Sequence, residues 1–156
     1  MLSNDRGFYV GEYFHNLDAK GRLTIPSKWR FRGDEADVYL GLPNPQGCIT
    51  VYPPRMIAKL EEQVSQISLG DLEGQAVLMD LSSMAQSFGC DKSGRIMLNE
   101  RLIRHAGIEK EAVLLGTFST FTIWSAERYA DRGAGKTFPV PEEVRRMTET
   151  LKKFGL

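Results

Sequence analysis

Short runs of alternating apolar and polar residues occur along most of this chain, and they come in two sets. In the first set, Phe8 to Leu17 is rich in aromatic and β-branched types and predicts a strand. Leu23–Ile25, Val38–Leu42 and Ile49–Tyr52 predict three more, the last two joined by a loop containing Pro43, Asn44, Pro45 and Gly47. Pro26 opens a short helix through Phe31, and Gly33 ends it. The second set repeats this order. Gln86–Cys90, Ile96–Leu98, Val113–Leu115 and Thr120–Trp124 predict strands. Asn99 caps a helix from Glu100 to His105 that stops at Gly107, and Ser125 caps another through Tyr129. Between the sets the period changes to that of a helix. Ile57, Leu60, Val64 and Ile67 share one face, Gly70-Asp71 breaks the run, and a second helix extends from about Leu72 to Met84. After a loop from Asp131 to Pro141, Val144, Met147, Leu151 and Phe154 mark one face of a C-terminal helix.

The two sets share a five-residue motif. Asp18-Ala19-Lys20-Gly21-Arg22 recurs 73 residues later as Asp91-Lys92-Ser93-Gly94-Arg95. The flanks repeat as well: Val113-Leu114-Leu115-Gly116 echoes Val38-Tyr39-Leu40-Gly41, and Phe121-Thr122-Ile123-Trp124 echoes Ile49-Thr50-Val51-Tyr52. The unit is too long for a solenoid turn and is half of a small domain. Asp first and Gly fourth between strand-like segments is a hairpin signal. The Asp side chain accepts from the backbone two residues on, and Gly takes the left-handed conformation. Lys20, Arg22, Lys92 and Arg95 then stand at the tips of two-stranded arms.

The doubled motif, with Gly11-Glu12-Tyr13 before its first copy and Leu23-Thr24-Ile25-Pro26 behind it, resembles the MraZ family over about residues 8–130. These are bacterial transcription regulators of the division and cell-wall gene cluster, with two tandem AbrB-like motifs. The expected fold class is α+β, mainly β. Two swapped-hairpin β-α-β halves interlock into one small barrel, a pseudo-dimer within one chain, with helices at its edges. The expected division is 8–55 for the first repeat, 56–84 for a helical linker, 85–130 for the second repeat and 141–156 for the C-terminal helix.

Composition narrows the function. A chain of 156 residues with 42% hydrophobic and 26% charged residues is ordinary for a globular protein. No apolar run reaches the roughly 20 residues of a membrane span, and Met1–Gly7 lacks a signal-peptide core. A cytoplasmic, nucleoid-associated protein is expected. Net charge is zero, yet its distribution is uneven. From Asp18 to Arg32 five cations accompany one anion, and from Asp91 to Arg104 four accompany two. From Lys59 to Asp80 one cation stands among five anions. Basic charge therefore gathers around both motifs, a local field that attracts phosphate.

No chemistry of catalysis emerges. Cys48 and Cys90 are two reduced thiols that build no zinc pattern with His15 and His105. His105 reads as a helix-end cation or a surface residue. Gly133-Ala134-Gly135-Lys136-Thr137 imitates the end of a phosphate-binding loop, but Ala130 stands where its first Gly belongs. No enzyme, cofactor, metal or small-molecule substrate is expected. The expected partners are double-stranded DNA and further copies of the chain, which the resemblance arranges in a ring on repeated short DNA boxes upstream of its own operon. Arg22 and Arg95 are the principal expected DNA contacts, with Lys20 and Lys92 on phosphate and Lys28, Arg30 and Arg32 extending the basic surface. Asp18, Gly21, Asp91 and Gly94 form the turns. The alternative is an AbrB-like antitoxin or scaffold whose partner is a protein held by the C-terminal helix.

Overall fold

The computed structural model describes residues 7–31, 38–135, 138 and 140–152. Arg32, Gly33, Lys136, Thr137 and Phe154, which entered the sequence argument, lie outside them. The first half contributes β1 (Glu12–Asn16), β2 (Arg22–Thr24), β3 (Tyr39–Asn44) and β4 (Cys48–Tyr52). The second contributes β5 (Gln86–Phe88), β6 (Arg95–Met97), β7 (Glu111–Gly116) and β8 (Phe121–Ser125). The helices are α1 (Pro54–Ser65), α2 (Leu72–Met84), α3 (Glu100–Ala106), α4 (Ala126–Arg132) and α5 (Glu142–Lys152).

The expected two-stranded arms do not form. Each turn closes at its tip, and beyond it the strands part. β1 pairs with β7, whereas β2 pairs with β6. A six-stranded antiparallel sheet runs β1-β7-β8-β4-β3-β5, and β2 with β6 makes a separate ribbon. The reason lies in the apolar positions. Leu23 and Ile96, the central residues of β2 and β6, are fully buried and face each other. A strand of three residues presents only one such side chain, so each half covers it with the other half's equivalent.

The pairing is symmetric. β1 lies on β7 as β5 lies on β3, β2 meets β6, and β4 meets β8. Thr50 faces Thr122 on this pseudo-dyad, as Leu23 faces Ile96. The register also corrects the sequence echo. Leu42 stands opposite Thr50 and Leu115 opposite Thr122, so Leu42, not Leu40, is the counterpart of Leu115. The echo was two residues out of step, which leaves every side chain on the same face and the pattern intact.

One core joins the halves. Tyr9, Leu23, Trp29, Ile49, Ile96, Leu102, Leu114, Phe121 and Ile123 are all buried in it. Trp29 sits against Tyr9, Tyr13 and Phe121, and its Nε1 donates to the Val10 carbonyl at 3.0 Å. The sheet and the ribbon thus enclose a shared interior that neither half completes alone.

The halves differ after the ribbon. Asn99 accepts from the Leu102 amide at 2.9 Å, and Gly107 closes α3 at φ 67°. Pro26 at the same place in the first half has no capping side chain, and only a single 3-10 turn, Ser27–Trp29, follows. Pro26 therefore flanks the turn rather than starting an α-helix. Between the halves, Asp71 does more than break the helical run: it caps α2 by accepting from the Gly74 amide at 3.0 Å. Val144 and Met147 of α5 are buried with Val77 of α2. These two positions of the C-terminal apolar stripe pack within the chain.

Candidate nucleic-acid interface

Both motif copies fold into the same turn. Asp18 Oδ1 accepts from the amides of Lys20 at 2.9 Å and Arg22 at 2.8 Å, and Oδ2 accepts from Arg22 Nε at 2.7 Å. Asp91 Oδ1 accepts from the amides of Ser93 and Arg95, each at 2.9 Å, and Oδ2 from Arg95 Nε at 3.0 Å. The Gly21 amide donates to the Asp18 carbonyl and the Gly94 amide to the Asp91 carbonyl. Both glycines have φ 80°, the left-handed region that a side chain resists. These bonds favour the charged carboxylates, so both acids sit below their usual range. The leading cause in each is the amide of the motif arginine, Arg22 for Asp18 and Arg95 for Asp91.

The arginines are therefore set before any ligand arrives. Each carboxylate takes Nε and leaves the two Nη groups without a hydrogen bond among the described residues. The lysines are not equivalent: Lys20 is third in its turn and Lys92 second, with Ser93 in the third place. Both are exposed.

The ribbon brings the turns together. The Ile25 amide donates to the Gly94 carbonyl at 2.7 Å, and the Leu98 amide to the Gly21 carbonyl at 2.9 Å. Each turn is thus tied to the strand end of the other half, and the two lie about 13 Å apart along the ribbon at the usual rise per residue. Leu23 and Ile96 point inward, so Arg22, Thr24, Arg95 and Met97 share the opposite face. Thr24 and Met97 were missed from sequence as members of this face. Period-two counting from each arginine finds them.

Lys28 is exposed on the 3-10 turn. Arg30 is half-buried, and its guanidinium lies on the second turn: a Cβ at Gly94 would stand 2.6 Å from Arg30 Cζ. Its Nε is buried with no hydrogen-bond partner among the described residues.

Other titratable groups are shifted by burial. His105 is not the helix-end cation expected. Burial, with Arg128 beside it, holds its pKa below the ordinary histidine value despite the bond to Asn44. Its Nε2 is 2.8 Å from the Asn44 carbonyl and therefore carries the proton. Burial pushes the Cys48 thiol up to about 12 and raises that of Cys90. Among the described residues no cluster of His, Cys, Asp and Glu could hold a metal, and no helix is long and apolar enough to cross a membrane.

The duplicated turn finds its match among known proteins. The family described as "MraZ protein, putative antitoxin-like" matches twice, over residues 8–80 and 81–150. The chain belongs to the MraZ family. A Transcriptional regulator MraZ from Lachnoclostridium phytofermentans is 37% identical over 149 residues, 95% of this chain and 98% of its own length. One from Clostridium acetobutylicum is 34% identical over 148 residues, 95% and 99% of the two chains. One from Lactobacillus johnsonii is 38% identical over 124 residues, 79% and 85%. MraZ is a family of transcriptional regulators, not of enzymes.

Proposed function

We propose that this MraZ-family chain is a sequence-specific DNA-binding transcriptional regulator of the division and cell-wall gene cluster, its own operon included. The observation that carries the reading is the doubled turn, in which Asp18 and Asp91 hold Arg22 and Arg95 by Nε on one face of a two-stranded ribbon. A ribbon of this kind fits the major groove, where the free end of an arginine fork suits guanine O6 and N7. Turns about 13 Å apart span about four base-pair steps of 3.4 Å. Lys20, Lys92, Lys28 and Arg30 supply phosphate contacts around them. The relatives' name, transcriptional regulator, supports the same role.

Four base pairs bind weakly, so specificity requires several linked modules. The chain acts as a ring-shaped homo-oligomer on repeated short boxes, which raises avidity ~10²–10⁴-fold. The division into repeats 8–55 and 85–130, a linker 56–84 and a C-terminal segment 141–156 belongs to this reading. Leu69, Leu72 and Met79 are exposed at and beyond the corner between α1 and α2, and they offer the linker an apolar contact with a neighbour.

Footprinting on DNA upstream of the chain's own gene tests the function. Regularly repeated protected boxes are expected. Uniform protection of any DNA, or none, contradicts the reading.

A further inference from the structure

The pseudo-dyad also breaks in what lies on each turn glycine. On the second turn, the Arg30 guanidinium fills the space a Cβ of Gly94 would need. On the first turn the matching neighbour of Gly21 is Ile103, whose Cδ1 would be 3.6 Å from a Cβ there. Arg30 stands in the first half where Ile103 stands in the second, each one turn beyond its ribbon strand. The two turns therefore differ in charge although their backbones agree.

The electrostatics differ too. Arg22 and Arg95 are each paired with an aspartate of their own turn. The Arg30 side chain has neither a hydrogen bond nor an ion pair among the described residues, and its Nε is buried. A planar cation lying on a backbone, with no partner among the described side chains, suits an oxygen anion in the plane of its fork. Resting on the DNA-binding reading above, we infer that Arg30 is a phosphate-positioning residue for the second turn only. The chain thus binds its DNA asymmetrically: the half of the box under Arg95 is clamped by one more backbone phosphate than the half under Arg22.

Two measurements on duplex DNA from upstream of the chain's own gene test this. The first is phosphate-ethylation interference with the wild-type protein. One additional sensitive phosphate is expected on the side of the second turn. The second is the salt dependence of affinity for Arg30→Gln, Arg30→Lys and Arg22→Ala. Loss of one phosphate contact makes the slope of log K against log salt shallower by about 0.9. Arg30→Gln is expected to show that change and to lose the additional phosphate, and Arg30→Lys to keep most of the slope. Equal interference under both turns overturns the inference, as does an unchanged slope in Arg30→Gln while Arg22→Ala loses binding. No salt-sensitive binding by the wild type overturns the DNA-binding reading beneath it as well. The wild-type interference pattern decides the matter even if Arg30→Gln does not fold.

Discussion

Leu23 faces Ile96 across the β2–β6 ribbon, and neither side chain is exposed by more than 1%. Each is the sole inward residue of its strand, and each comes from a different half. The core is therefore common property, and the halves cannot melt separately. Leu23→Ala is expected to cost about 2–5 kcal/mol, as buried Leu truncations do. Urea unfolding followed by tryptophan fluorescence and by circular dichroism checks this. Trp29 and Trp124 report from different halves, and the two probes are expected to give one coincident transition.

The turn glycines separate stability from binding. Gly21→Ala and Gly94→Ala each place a side chain at φ 80°, which costs about 1–2 kcal/mol. Beyond that they diverge. An alanine at 21 presses on the Leu98 carbonyl, 3.1 Å away, and fixed backbone yields little. One at 94 meets the mobile end of Arg30 at 2.6 Å and displaces it. Gly21→Ala is expected to lose more melting temperature. Gly94→Ala is expected to show the shallower salt dependence in DNA binding.

Asp18 and Asp91 set an acid limit for the turns. Both are depressed in the folded chain, so their contribution is complete above the unfolded value near 3.9. It is lost only as pH falls through the lower folded values. Carboxyl titration by NMR is expected to show both acids gaining their protons at lower pH than ordinary aspartates. Asp18→Asn keeps an acceptor for the Lys20 and Arg22 amides but gives up the ion pair. Stability is expected to change little, since the pair is partly exposed.

His105 works in the opposite pH region. Its folded pKa lies below the unfolded value of about 6.5, so between the two the unfolded chain holds more protons. Stability therefore falls as pH drops below about 6.5, by at most about 1.4 kcal/mol per pH unit for this one site, and levels off below the folded value. His105→Gln keeps a donor for the Asn44 carbonyl and is expected to flatten this dependence in melts between pH 5 and 7.5.

The turns were the most legible part of the chain. Asp, Gly and Arg at fixed places dictate a local structure that needs no distant partner, and both copies adopt it. The strands were legible as segments but not as pairs. Leu23–Ile25 reads as the return arm of a hairpin, because nothing local reveals that its only inward side chain is covered by Ile96. The same blindness hid where Arg30 sits: it reads as part of the basic surface, while its neighbour Gly94 is far away in sequence. His105 was misread for a related reason: the helix end that makes a cation favourable is local, whereas the burial and the Arg128 charge that oppose it are tertiary. In the C-terminal stripe Val144 and Met147 read as sharing one apolar face, and only the structure sets these two residues against Val77 of α2.

The most direct test of the proposal that the ribbon reads DNA is fluorescence anisotropy with DNA from upstream of the chain's own gene against a scrambled duplex. Wild type, Arg22→Ala and Arg95→Ala would be compared at several salt concentrations, since affinity without salt has no meaning here. The expected result is wild-type preference for the upstream DNA, weakening with salt and collapsing in both variants. Equal, weak binding of both duplexes by all three proteins would contradict it and return the doubled turn to a purely structural role.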